Sequence, residues 1–118
     1  MSELDESVYV RHMLDAIARL RRHVQGVDQP EFESSEIIQD AVIRQLEILG
    51  EAAGRVSRET CILFDEIPWQ RVTGLRHRLI HDYLGVDVQL VWQVVTVELP
   101  KIVGPIETML EELAGSSD

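Results

Sequence analysis

Cysteine is nearly absent from this 118-residue chain, and Cys61 stands alone. No intramolecular disulfide and no multi-cysteine metal site can form, so Cys61 reads as a small buried hydrophobe of a reducing compartment. Basic charge is also scarce: 11 Lys+Arg stand against 21 Asp+Glu, for a formal charge of −10. Affinity for nucleic-acid phosphates comes chiefly from clustered Lys and Arg. This balance therefore excludes unaided, non-specific binding to a polyanion and confines any nucleic-acid role to a local patch. No apolar run approaches the ~18 residues needed to span a bilayer, and the opening MSELDESVYV lacks the charged and apolar blocks of a secretory leader. A soluble, cytoplasmic protein without membrane contact is expected. Repeats and low-complexity segments are missing too. What is present suffices for one core: 45% of residues are hydrophobic and the mean hydropathy is −0.03, so disorder is excluded as the default and one domain over residues 1–118 is expected. A domain this small has a poor surface-to-volume ratio, which favours leaning on a partner surface.

The apolar positions follow a helical period. Val10, Met13, Leu14, Ile17, Leu20 and Val24 recur at three- and four-residue steps, and Gly26 with the polar run Asp28-Gln29-Pro30 ends that helix. Ser34 or Ser35 can cap a second helix with Glu36 in its first turn, burying Ile38, Val42, Leu46, Leu49, Ala53 and Val56. Gly50 and Gly54 within it point to close helix–helix approach, because glycine in a helix otherwise costs about 1 kcal/mol. Pro68 suits the first turn of a third helix carrying Trp69, Val72, Leu75, Leu79 and Ile80, with Gly85 as its stop. Asp87 can cap a fourth segment whose valines favour strand, but Trp92, Val95, Leu99 and Ile102 keep helical spacing and no strand partner is evident, which predicts helix. Pro100 should kink it, and Pro105 should open or resume a helix through Met109 and Leu113. Four main helices with short connections predict an all-α, up-and-down bundle.

One stretch departs from the acidic average. From Trp69 to Tyr83 there are Arg71, Arg76 and Arg78, His77 and His81, and a single acid, Asp82. Metal-independent RNA cleavage needs a group that takes the 2′-hydroxyl proton and a cation that stabilises the phosphorane oxygens; His81 suits the first role and Arg76 the second. On one straight helix, however, the two lie about 140° apart at ~100° per residue, so they converge only if the helix ends early or a second copy contributes. The bland readings stay open beside this one: Arg76 and Arg78 as solvated charges near Asp82 or Asp87, His81 as a histidine favoured by a helix C-terminus, Tyr83 as a packing ring. His77 and His81 also have the spacing of two metal ligands on one helix face. A third ligand is missing nearby, and His12 and His23 could join only by coincidence of packing, so no metal is expected.

The motif Arg76-x4-His81-Asp82-Tyr83 resembles the R-x4-H-x-Y signature of the HepT-like toxins, a branch of the HEPN ribonuclease superfamily. Leu49-Gly50-Glu51-Ala52-Ala53, Pro68-Trp69, Gly74-Leu75-Arg76-His77 and the final segment with Trp92 and Pro100 resemble further blocks of that family, in order and across nearly the whole chain. The resemblance implies an HEPN bundle that forms homodimers, with Arg76 and His81 of both copies lining a cleft on the two-fold axis. It implies a toxin that cleaves cellular RNA, tRNA or mRNA, without metal or other cofactor. His77 and Arg78 take supporting contacts to RNA phosphate. The resemblance further implies that Tyr83 is the residue to which a cognate minimal nucleotidyltransferase antitoxin attaches AMP, in a complex that can be larger than the homodimer. The acidic charge leaves a rival of another class: a non-catalytic HEPN module that binds a nucleotide or the nucleotidyltransferase itself.

Overall fold

The computed structural model describes residues 5–81 and 85–115. Ser7–His23 forms α1, whose Val10, Met13, Ile17 and Leu20 are at most 2% exposed. That stripe lies on Val42, Leu46 and Leu49 of α3, Glu36–Ala53, in the most extensive helix pairing of the molecule. Each such side chain, fully buried, contributes about 1.5–3 kcal/mol. Ser35 caps α3, its hydroxyl accepting from the Ile38 N–H at 3.2 Å, with Glu36 in the first turn, as expected.

Two short helices lie in connections to which the sequence assigns no helix. The run Asp28-Gln29-Pro30 does end α1, but it also starts α2, Gln29–Ser34. Asp28 accepts from the Glu31 N–H at 3.0 Å, Pro30 occupies the first turn, and Phe32 is buried with its ring 5.2 Å from that of Trp92. Ser57 caps α4, Arg58–Leu63, in the same manner. Both are too short for a periodic apolar pattern to accumulate.

The third helix expected from Pro68 to Gly85 is corrected. It breaks at Gly74 into α5, Trp69–Thr73, and α6, Leu75–Leu79. Ile80 is already extended, at φ −115° and ψ 119°, and β1, Ile80–His81, pairs antiparallel with β2, Gly85–Val86, placing His81 opposite Gly85. Gly85, expected as a helix stop, belongs to this hairpin, and its φ of 85° is a conformation L side chains rarely adopt. The Leu79 carbonyl accepts from the Asp87 N–H at 2.8 Å, tying the far side of the hairpin back to α6. The β-branched Ile80 suits the extended start.

Asp87 then caps α7, Val88–Gln93, through Leu90 N–H at 3.1 Å. A π turn, Val94–Glu98, joins it to α8, Leu99–Gly115. The valine-rich segment is thus helical, as its period predicts. The disturbance expected at Pro100 appears as this wide turn just before it, where the Leu99 N–H reaches back five residues to the Val94 carbonyl. Pro105 opens no new helix; α8 continues through it. From Val88 to Gly115 the helical path measures about 42 Å at ~1.5 Å per residue. Among the described residues, four helical arms (α1, α3, α5–α6 and the final helix) form an all-α bundle around one apolar cluster, and Ile80 and Val86 of the small hairpin pack against it. No helix among them is long and apolar enough to cross a membrane.

Candidate active site

The site grows from two anchors. Leu75 and Leu79, four residues apart, are buried at 3% and 2% exposure and fix α6 to the core by one face. Arg76, His77 and Arg78 stand between them and leave in different directions. Arg76 points toward α3: its Nε donates to Glu47 Oε2 at 3.0 Å, and its side chain is 73% exposed. Arg78 points toward the final helix, where Nη1 and Nη2 meet Glu98 Oε1 and Oε2 at 3.2 and 3.1 Å. Arg71 of α5 reaches the same Glu98 Oε2 at 3.3 Å. His77 is exposed. His81 is exposed too, in the first extended turn after the helix.

The structure therefore separates the basic residues that the sequence places together. Arg76 borders a groove of about 420 Å³ between α3 and α5–α6, with Arg44, Glu47, Glu51 and Thr73. Arg78 borders another, of about 460 Å³, with Arg71, Glu98 and Lys101. His77 and His81 line neither. Because the helix stops at Leu79, the ~140° separation computed for a straight helix does not apply to Arg76 and His81. Tyr83 and Asp82 lie outside the described residues.

What holds α3 against α5 is the close approach foreseen at Gly50. A Cβ there would sit 3.1 Å from the Val72 carbonyl oxygen. Gly54 has no such neighbour on another element; a Cβ there meets only its own helix's carbonyls. Glu47 and Glu98, the two acids that grip the motif arginines, are absent from the sequence reading. Glu47 could have been found as the residue one turn before Gly50, and Glu98 as the lone acid between Val94 and Leu99. The Glu98 carboxyl is held below the usual carboxylate range, first by the Arg78 hydrogen bonds and further by the Arg78 and Arg71 charges, with burial opposing. The Glu47–Arg76 pair is more open, and exposed pairs of that kind contribute only about 0–1 kcal/mol.

The pairing of His77 and His81 on one helix face, needed for a shared metal, does not form, since His81 is in the strand. No group of three or more His, Cys, Asp or Glu among the described residues could hold a metal ion.

Residues 13–109 match the family described as Ribonuclease HepT-like. The chain is 36% identical over 109 residues to "Gamma-glutamylcyclotransferase and putative RNase MJ0434" of Methanocaldococcus jannaschii; the alignment takes in 92% of this chain but 49% of that protein, so the chain spans about half its length. It is 35% identical over 107 residues to "Putative RNase MJ1380" of the same organism, with 91% of this chain and 98% of that one covered. With "Probable ribonuclease HepT" of Thermococcus cleftensis it shares 34% identity over 101 residues, covering 86% and 92%. No solved structure matches the chain.

Proposed function

Because the chain belongs to the HepT-like ribonuclease family, we propose that it is the toxin of a toxin–antitoxin pair. In this reading it is a cytoplasmic endoribonuclease that cuts tRNA or mRNA without metal, in the cleft of a homodimer. The observation that carries it is the state of the two motif side chains. Among the described residues Arg76 is bonded at Nε alone, which leaves Nη1 and Nη2 for two phosphate oxygens, and His81 stands exposed just beyond the helix end. His81 takes the proton of a ribose 2′-hydroxyl as O2′ bonds to phosphorus. Arg76 neutralises the oxygens of the phosphorane, and the bond to O5′ breaks. O5′ leaves as a hydroxyl, protonated by an imidazolium across the two-fold axis, and a 2′,3′-cyclic phosphate remains. His77 contacts a neighbouring phosphate, and Arg78, bonded to Glu98 through Nη1 and Nη2, supports it with the N–H donors that pair leaves over.

Tyr83 is the regulatory acceptor in this proposal. Its hydroxyl attacks the α-phosphorus of ATP on the cognate minimal nucleotidyltransferase antitoxin, pyrophosphate leaves, and tyrosyl-AMP sets negative charge beside the cleft. The deciding experiment incubates the protein with total RNA in EDTA. The parent should cut and leave cyclic phosphate ends, while Arg76→Ala and His81→Ala lose about 10²–10⁴-fold in rate. Variants that cut as fast as the parent overturn the assignment. In the antitoxin arm, mass spectrometry should find AMP on the parent and none on Tyr83→Phe. The charge of −10 favours a second reading, a non-catalytic module that binds nucleotide or the nucleotidyltransferase. Tight binding with no RNA cleavage by unmodified parent selects it.

A further inference from the structure

We propose that Glu47 of α3 is a positioning residue that aims the Arg76 guanidinium at phosphate, an inference that rests on the role given to Arg76 above. Two features of the contact argue for it. First, the carboxylate takes Arg76 by Nε, the inner edge of the guanidinium, at 3.0 Å, and the other two nitrogens have no partner among the described residues. Glu98, by contrast, occupies both Nη atoms of Arg78. Held at Nε, the planar group keeps one orientation while its two-pronged end stays available.

Second, both ends of the contact are fixed to rigid parts. Glu47 lies between Leu46 and Leu49, buried in α3, and one turn before Gly50, where α3 comes closest to α5. Arg76 stands on a helix pinned by Leu75, Leu79 and the Arg78–Glu98 pair. The ion pair itself is exposed and adds little to stability, so its consequence is geometric. It also has a cost for substrate: a carboxylate beside the phosphate site repels RNA in the ground state. Orientation and repulsion act on different kinetic constants. Losing orientation lowers kcat, because the guanidinium is needed most where charge develops. Losing repulsion keeps KM level or lowers it.

Glu47→Ala should therefore cut RNA with kcat reduced about 10- to 100-fold and with no increase in KM. Glu47→Gln keeps an acceptor for the Nε–H and should recover most of kcat. Both should melt within a few degrees of the parent. A fluorescent oligonucleotide with a 2′-deoxy scissile ribose supplies a readout free of chemistry. Glu47→Ala should bind it more tightly than the parent does, in the Arg76→Ala background as well, because the repulsion removed does not involve Arg76; the loss of kcat, by contrast, should vanish in that background. Unchanged kcat in Glu47→Ala, or a kcat loss that persists at full size in the Arg76→Ala background, overturns the inference while leaving the role of Arg76 standing. If Arg76→Ala itself neither slows cleavage nor weakens binding, the catalytic reading falls, and this inference with it. Should the unmodified parent cut no RNA, the catalytic reading of Arg76 falls, and this inference with it.

Discussion

Glu98 joins three elements through one carboxylate, accepting from Arg71 on α5 and Arg78 on α6 while it sits in the π turn of the final helix. Its carboxyl lies below its ordinary 4.5 in the folded state, chiefly through the Arg78 hydrogen bonds. A depressed folded value means that the contribution to stability is fully present above the unfolded value and is lost as pH falls through the folded one. Acid should therefore weaken the protein from just below the ordinary carboxylate range downward. Glu98→Gln should melt lower than the parent at pH 7 and approach it at pH 3 in thermal scans; a constant gap across that range would remove Glu98 from the account. Some acid sensitivity should survive in the variant, because Glu6 is lowered too: burial raises it, but hydrogen bonds from Thr60 and Ser57 outweigh that. At this scale the sequence shows the motif residues but not their partners. Arg76 and Arg78, two residues apart on one helix, already lie about 160° from each other; what the sequence does not show is that Glu47 stands on one of those sides and Glu98 on the other.

Among the elements, α3 and α8 each carry a glycine in a helix interior, and the two should respond oppositely to alanine. The spare rotational freedom of glycine costs about 1 kcal/mol in either helix. At Gly104 a Cβ meets nothing within 4 Å, so Gly104→Ala should gain most of that and raise Tm. At Gly50 the new carbon would press on the Val72 backbone at 3.1 Å, and a backbone neighbour cannot swing aside as a side chain would. Overpacking costs about 1–3 kcal/mol, so Gly50→Ala should lower Tm and, by shifting α5 and α6, slow RNA cleavage as well. Equal rises in Tm for both variants would mean that the α3–α5 contact is loose. The elements that the sequence conceals share one physical cause. α2, α4 and the hairpin have six or fewer residues in each run, so packing and caps, not periodicity, decide them. Long helices repeat their apolar stripe often enough to be read, which is why α1, α3 and the final helix are legible and the end of α6 at Leu79 is not.

For the whole molecule, a charge of −10 must be reconciled with a polyanionic substrate. Repulsion acts at long range, and the Debye length shrinks from about 30 Å at ~0.01 M salt to about 8 Å at ~0.15 M. Contacts in a small cleft are screened much less over the same interval. The value of kcat/KM for RNA should accordingly rise between those salt concentrations, the opposite of a nuclease that gathers RNA by a basic surface. A steep fall would show that a cationic surface, such as that of Arg71 and Lys101 beside the larger groove, draws RNA in.

The sequence by itself determined the helical class, the cap at Asp87 and a serine cap before Glu36, the apolar stripes and the close approach at Gly50, because each is a local pattern of spacing or residue type. Tertiary structure decided where the third helix stops, which acids hold Arg76 and Arg78, and that His81 leaves the helix altogether. Those outcomes depend on contacts between residues far apart in the chain, Arg76 with Glu47 and Arg78 with Glu98, and on a hairpin bond from Asp87 back to Leu79. Such energies arise only once the bundle has assembled.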